Sequence, residues 1–106
     1  VYKYAVNAMR KAAENVLDKS GMNVADVNKL IPHQANLRII EAITDRMGIP
    51  SENTFVNLDK YGNTSAAAVA IALDEANKSQ AIKDGDIVLL VAFGAGLTWA
   101  SCLIKW

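Results

Sequence analysis

Lys29-Leu30-Ile31-Pro32-His33-Gln34-Ala35-Asn36-Leu37-Arg38 is the stretch that decides the fold. Lys29-Leu30-Ile31 reads as a brief buried strand. Pro32 stops it, because proline has no N–H to give to a sheet ladder. A helix is expected from Ala35 to Met47, with Leu37, Ile40, Ile43 and Met47 as its apolar stripe and Gly48 as its close. A strand that hands straight over to a helix is the building unit of an α/β layered domain.

Working outward, the same alternation recurs. Upstream, Tyr2, Ala5, Val6, Met9, Ala12, Ala13, Val16 and Leu17 recur at steps of three and four, which predicts one amphipathic helix ended by Ser20-Gly21. Asn23 is placed to cap a short turn through Asp26. Downstream, Thr54-Phe55-Val56-Asn57 reads as a strand, and Leu58 to Asn63 as a polar turn. A third helix is expected over 64–79. Residues 87–93 form a strand, Gly94-Ala95-Gly96 the tight connection of a hairpin, and 97–106 the return strand. The predicted order is α-β-α-β-α-β-β, an α/β domain whose closing hairpin makes the sheet mixed.

Two features point beyond the 106 residues. The chain starts at Val1 already in helical rhythm, with no Ser, Thr, Asp or Asn before it as a cap, which suggests excision from something longer. The run Ala66-Ala67-Ala68-Val69-Ala70-Ile71-Ala72-Leu73 is apolar on every helical face. Such a helix is expected to be buried on all sides, and one sheet covers only one side.

Composition narrows the function classes. Eleven basic and eleven acidic residues give zero formal charge, so no basic excess suggests nucleic acid. One cysteine and one histidine make neither an internal disulfide nor a conventional structural zinc site. Reduced, cytoplasmic folding is the expectation. The apolar run at 87–93 is far too short to span a membrane.

The candidate chemistry lies at two strand- or turn-to-helix junctions, around His33 and around Asn63. In open α/β sheets, sites gather at the carboxyl ends of strands, and helix N-termini add spare N–H groups and partial positive charge. A plain structural role competes at each position. A lone His after a strand is often only structural, and Asn63 or Asn36 before a helix is often only an N-cap. Thr64 and Ser65 can cap the third helix themselves, which leaves the Asn63 amide available. Cys102 falls within an apolar strand, where burial is expected to make it inert. Gly94-Ala95-Gly96 is followed by a strand and not a helix, so it is a hairpin turn and not a phosphate loop.

Three segments share a family likeness. His33-Gln34-Ala35-Asn36-Leu37-Arg38 resembles the catalytic-histidine signature of 3-oxoacyl-(acyl-carrier-protein) synthase III. Gly62-Asn63-Thr64-Ser65-Ala66-Ala67 resembles that family's asparagine loop. Ala92-Phe93-Gly94-Ala95-Gly96-Leu97-Thr98-Trp99 is similar to its penultimate hairpin, with Ala95 where a third Gly is commoner.

The resemblance implies a thiolase-like fold, of which residues 1–106 would be the C-terminal half. The N-terminal half, absent here, would carry the nucleophilic cysteine. It implies catalytic roles for His33 and Asn63, and substrate-binding positions at Asn36, Phe93 and Gly94. Arg38, Arg46 and Lys3 would dock an acidic acyl carrier protein, although Glu41 offers Arg38 an ordinary intrahelical ion pair. The implied reaction joins an acyl-coenzyme A primer to malonyl-acyl-carrier-protein by decarboxylative condensation, without metal or cofactor. The implied partners are the chain's own N-terminal half, the carrier protein and a second copy in a homodimer, with no nucleic acid and no membrane. A related polyketide or alkylquinolone-type synthase is one alternative. A non-catalytic half-domain that binds carrier protein or coenzyme A is another.

Overall fold

The computed structural model describes residues 2–34, 37–57, 67–94 and 98–106. Helix α1 spans Tyr2–Ser20, strand β1 Lys29–Pro32, helix α2 Leu37–Met47, helix α3 Ala67–Lys78, strand β2 Ile87–Gly94 and strand β3 Thr98–Lys105. Short 3-10 turns lie at Val24–Asp26 and Ser51–Asn53. The carboxylate of Asp26 accepts the Asn23 N–H at 2.9 Å, which ties down the first of them.

The strands form one mixed sheet in the order β1-β2-β3. β1 and β2 are parallel, with Leu30 beside Leu89 and Pro32 beside Val91. β2 and β3 are antiparallel, with Val88 beside Ile104 and Gly94 beside Thr98. Gly94 therefore closes β2 and does not belong to the turn.

The core has two parts because the sheet has two covered faces. On one face, Val6, Met9, Ala13 and Leu17 of α1 and Ile39, Ile43 and Met47 of α2 pack against Leu30, Leu89 and Val91. On the other, Ala72 and Ala76 of α3 pack with Ile82 against Ile31 and Val88. Leu30 and Ile31 are adjacent and both inaccessible to solvent, as expected of a strand covered on both sides. Burying each such side chain stabilises the fold by about 1.5–3 kcal/mol.

The three described helices end in the same hydrogen-bond pattern. Met22 N–H donates to Leu17 O at 3.0 Å and Gly21 N–H to Asp18 O at 3.2 Å, around a left-handed Gly21. Gly48 repeats this after α2, where Ile49 N–H donates to Thr44 O. After α3 the left-handed position is held by Gln80, at φ 64°. Ala81 N–H donates to Ala76 O at 2.9 Å there.

Three expectations need correction. Thr54–Asn57 is not a full strand; one parallel bridge joins Thr54 to Leu30, just after the turn Ser51–Asn53. The ladder cannot continue because Pro32 has no N–H. Leu37 is not in the buried stripe of α2: it is half exposed, and Ile39 is buried in its place beside Ile40 and Ile43. Cys102 is exposed, not buried. Its row on β3 faces the α3 side, since Ser101 and Leu103 point toward α1. α3 packs on β1 and β2, so Ala100 and Cys102 lie uncovered. α3 is covered on its sheet side and not all round within this chain, as expected of an all-apolar helix beside a single sheet. Ala72 and Ala76 are buried, Val69, Ile71 and Leu73 are partly accessible, and Ala70 is exposed.

The Ala35 and Asn36 start of the second helix, the 58–63 turn, the Thr64–Ala66 start of the third helix, and Ala95, Gly96 and Leu97 lie outside the described residues.

Candidate active site at the carboxyl end of the parallel strands

His33 follows the last residue of β1. Its backbone N–H donates to Val91 O at 2.7 Å, which adds one more rung between β1 and β2. The imidazole is thus presented at the carboxyl end of two parallel strands, the place where α/β sheets collect their ligands. It is half-buried, and desolvation holds its pKa below the ordinary 6.5. The ring is therefore neutral at pH 7 and offers one N–H donor.

Phe93 and Gly94 reach the same sheet end by register, two and three residues past Val91 on β2. Asn63 and Asn36 lie outside the described residues, so their expected places beside His33 and at the start of α2 remain expectations.

The residue that sequence reasoning passed over is Gln34. Its side chain is 1% exposed. Nε2 donates to Pro32 O at 2.8 Å and to Phe55 O at 3.4 Å, while Oε1 accepts the Asn57 N–H at 3.1 Å. Asn57 is itself buried, and its Nδ2 has no partner among the described residues. One signal was available: a proline that ends a buried strand leaves unmatched ladder groups, and a polar side chain two positions later can meet them.

The three basic positions assigned to docking are all exposed. Arg38 and Arg46 line one shallow groove on the outer side of α2, together with Glu41, Ala42 and Asp45. Arg46 Nη1 donates to Asn7 Oδ1 of α1 at 2.9 Å. Lys3 lies one turn before Asn7 on the same side of α1. The exposed Leu37 adds an apolar group beside Arg38. The surface is thus mixed in charge, with two carboxylates between its arginines.

Among the described residues, no cluster of three or more His, Cys, Asp or Glu side chains is placed to hold a metal ion. No described helix is long and apolar enough to cross a membrane.

Comparisons with known proteins bear on the fold and the family. A family model described as 3-oxoacyl-[acyl-carrier-protein (ACP)] synthase III C terminal matches residues 17–106. The beta-ketoacyl-[acyl-carrier-protein] synthase III of Caldanaerobacter subterraneus subsp. tengcongensis is 58% identical over all 106 residues, which span 32% of that protein. The crystal structure of the synthase III from Thermus thermophilus superposes with a TM-score of 0.96 at 49% identity, covering all of this chain and 33% of that one. A priming beta-ketosynthase from a polyketide biosynthetic pathway superposes with a TM-score of 0.85 at 40% identity, covering 98% of this chain and 32% of that one. The chain thus spans about a third of the length of the relatives it matches. Its α/β fold is thiolase-like, as the sequence motifs implied. With a family model over residues 17–106 and a relative more than half identical throughout, the chain belongs to the 3-oxoacyl-[acyl-carrier-protein] synthase III family, whose C-terminal portion it matches.

Proposed function

We propose that this chain is the C-terminal catalytic part of an enzyme that condenses an acyl-coenzyme A primer with malonyl-acyl-carrier-protein. The observation that carries the proposal is His33: a neutral, half-buried donor at the carboxyl end of β1, inside the motif that resembles the family's catalytic signature.

The chemistry follows from those residue types. A cysteine in the N-terminal half, outside these 106 residues, holds the acyl primer as a thioester. The malonyl carbon–carboxylate bond breaks and carbon dioxide leaves. Its electron pair passes to the α-carbon, with charge delocalised onto the thioester oxygen as an enolate. His33 and Asn63 each donate a hydrogen bond to that oxygen. The carbanion forms a carbon–carbon bond to the acyl carbonyl, and the tetrahedral intermediate expels the cysteine thiolate. Neither donor needs to change protonation state, so a His whose pKa is lowered by burial suits the task. Each such donor is worth on the order of a hundred- to a thousandfold in rate.

The remaining roles follow the family resemblance. Phe93, Gly94 and Asn36 contact substrate near the site. Arg38, Arg46 and Lys3 meet the carrier protein. Covering the exposed row of β3 and the outer faces of α3 falls to the N-terminal half. The complete enzyme is a cytoplasmic homodimer that needs no resident metal or cofactor.

The likeness to a priming ketosynthase of a polyketide pathway favours a second reading, in which the same chemistry starts a polyketide. One experiment separates them. The full-length polypeptide is supplied with malonyl-acyl-carrier-protein and a panel of acyl-coenzyme A primers, and the product is read by mass. Formation of 3-oxoacyl-carrier protein with fatty-acid carrier protein supports the first reading. Turnover confined to a polyketide carrier supports the second, and no condensation with either overturns both.

A further inference from the structure

The Gln34 side chain completes a ladder that Pro32 interrupts. A parallel ladder that begins with Thr54 beside Leu30, and with Phe55 N–H donating to Leu30 O at 2.9 Å, has defined next rungs. Residue 32 donates to Phe55 O, and Asn57 donates to the carbonyl of residue 32. The first rung is impossible because Pro32 has no N–H. In the structure, Gln34 Nε2 reaches both Phe55 O and Pro32 O, and Gln34 Oε1 takes the Asn57 N–H. One carboxamide supplies the donor that proline lacks and the acceptor that Asn57 needs.

This rung lies directly beside the site. Gln34 is the residue after His33. The carboxamide therefore joins the backbone that presents His33 to the backbone of Phe55 and Asn57. Its burial excludes water from those bonds, so nothing else in solvent can substitute for it.

We propose that Gln34 is a positioning residue: through its bonds to Pro32, Phe55 and Asn57 it holds in place the backbone that presents the His33 donor. This rests on the condensing-enzyme reading, in which His33 addresses the oxyanion. A donor displaced by about an ångström loses on the order of a hundredfold in rate. Acyl transfer onto the cysteine does not use that donor, so it escapes this loss.

The test uses the full-length polypeptide carrying Gln34→Met, which keeps the side-chain length and removes all three bonds. Two half-reactions are measured: acyl uptake from acyl-coenzyme A, and decarboxylation of malonyl-acyl-carrier-protein. The expected result is a tenfold to hundredfold fall in kcat for decarboxylation, by order of magnitude, with KM and acyl uptake nearly unchanged. Equal losses in both half-reactions mark general misfolding and overturn the positioning role. A decarboxylation rate within about threefold of wild type also overturns it. His33→Ala is run alongside. If it loses decarboxylation while Gln34→Met does not, positioning alone fails. If His33→Ala retains decarboxylation, the oxyanion reading fails and positioning falls with it.

Discussion

The His33 N–H donates to the Val91 carbonyl at 2.7 Å, one rung past the last paired residue of β1. The backbone under the imidazole is therefore fixed to β2. Half-burial then acts on its charge, and desolvation holds the pKa below 6.5.

A pH signature of folding follows. Unfolded His titrates near the ordinary value, while folded His33 resists protonation, so between the two values the unfolded chain binds more protons. The stability associated with the neutral ring is complete above pH 6.5 and is lost as pH falls through the lowered folded value. Replacing His33 by Gln in the full-length polypeptide removes this component. Urea midpoints compared across pH should show the variant gaining on wild type as the medium becomes acid. Parallel pH profiles would mean that the ring is not desolvated.

The end of α3 carries a stored cost. Gln80 holds a left-handed conformation, at φ 64°, that costs a residue with a Cβ about 1 kcal/mol or more. Gly21 and Gly48 fill the same position after α1 and α2. Gln80→Gly is expected to stabilise the full-length protein by about 0.5–1 kcal/mol, read as a higher urea midpoint at unchanged slope. A lower midpoint would show that the Gln80 side chain contributes more than its backbone costs.

Much of this architecture was legible in the sequence. The three helices, the buried strand before His33 and the closing hairpin follow from apolar periodicity and from turn residues. What periodicity missed was coverage. Cys102 sits in an apolar run, but no described helix covers its row of the sheet. Leu37 matched the helical stripe, yet Ile39 takes the buried place beside Ile40 and Ile43 and leaves Leu37 on the outer side. The Thr54–Asn57 strand failed for a reason also written in the sequence, the missing N–H of Pro32. Its repair by Gln34 depends on a side chain reaching across to a segment more than twenty residues away, and no local pattern encodes that.

On the proposed reading, the uncovered row makes a direct prediction about the rest of the polypeptide. Cys102, Ala100 and Ala70 are exposed in the 106-residue chain, and Ile71, Leu73 and Ile104 partly so. An apolar surface of that kind usually marks an interface. The isolated chain should bind hydrophobic dyes, self-associate in sedimentation and react quickly with thiol reagents at Cys102. In the full-length protein Cys102 should resist the same reagents. Equal labelling of both would mean that the N-terminal half packs elsewhere.

The proposed docking surface is testable by charge reversal. Arg38 is exposed at the start of α2, next to the exposed Leu37 and close to His33 in sequence. Arg38→Glu should raise KM for malonyl-acyl-carrier-protein about tenfold and leave acyl-coenzyme A kinetics within about twofold. Equal effects on both substrates would indicate a folding defect, and no effect would assign Arg38 to interactions within α2.

The most direct measurement is the pair of half-reactions in full-length His33→Ala. Acyl uptake from labelled acyl-coenzyme A and carbon dioxide release from malonyl-acyl-carrier-protein are followed separately on the same preparation. If His33 serves only as an oxyanion donor, carbon dioxide release should fall by at least about a hundredfold while the cysteine still takes up the acyl group at near the wild-type rate. Decarboxylation at the wild-type rate, or loss of acyl uptake together with decarboxylation, would contradict that role.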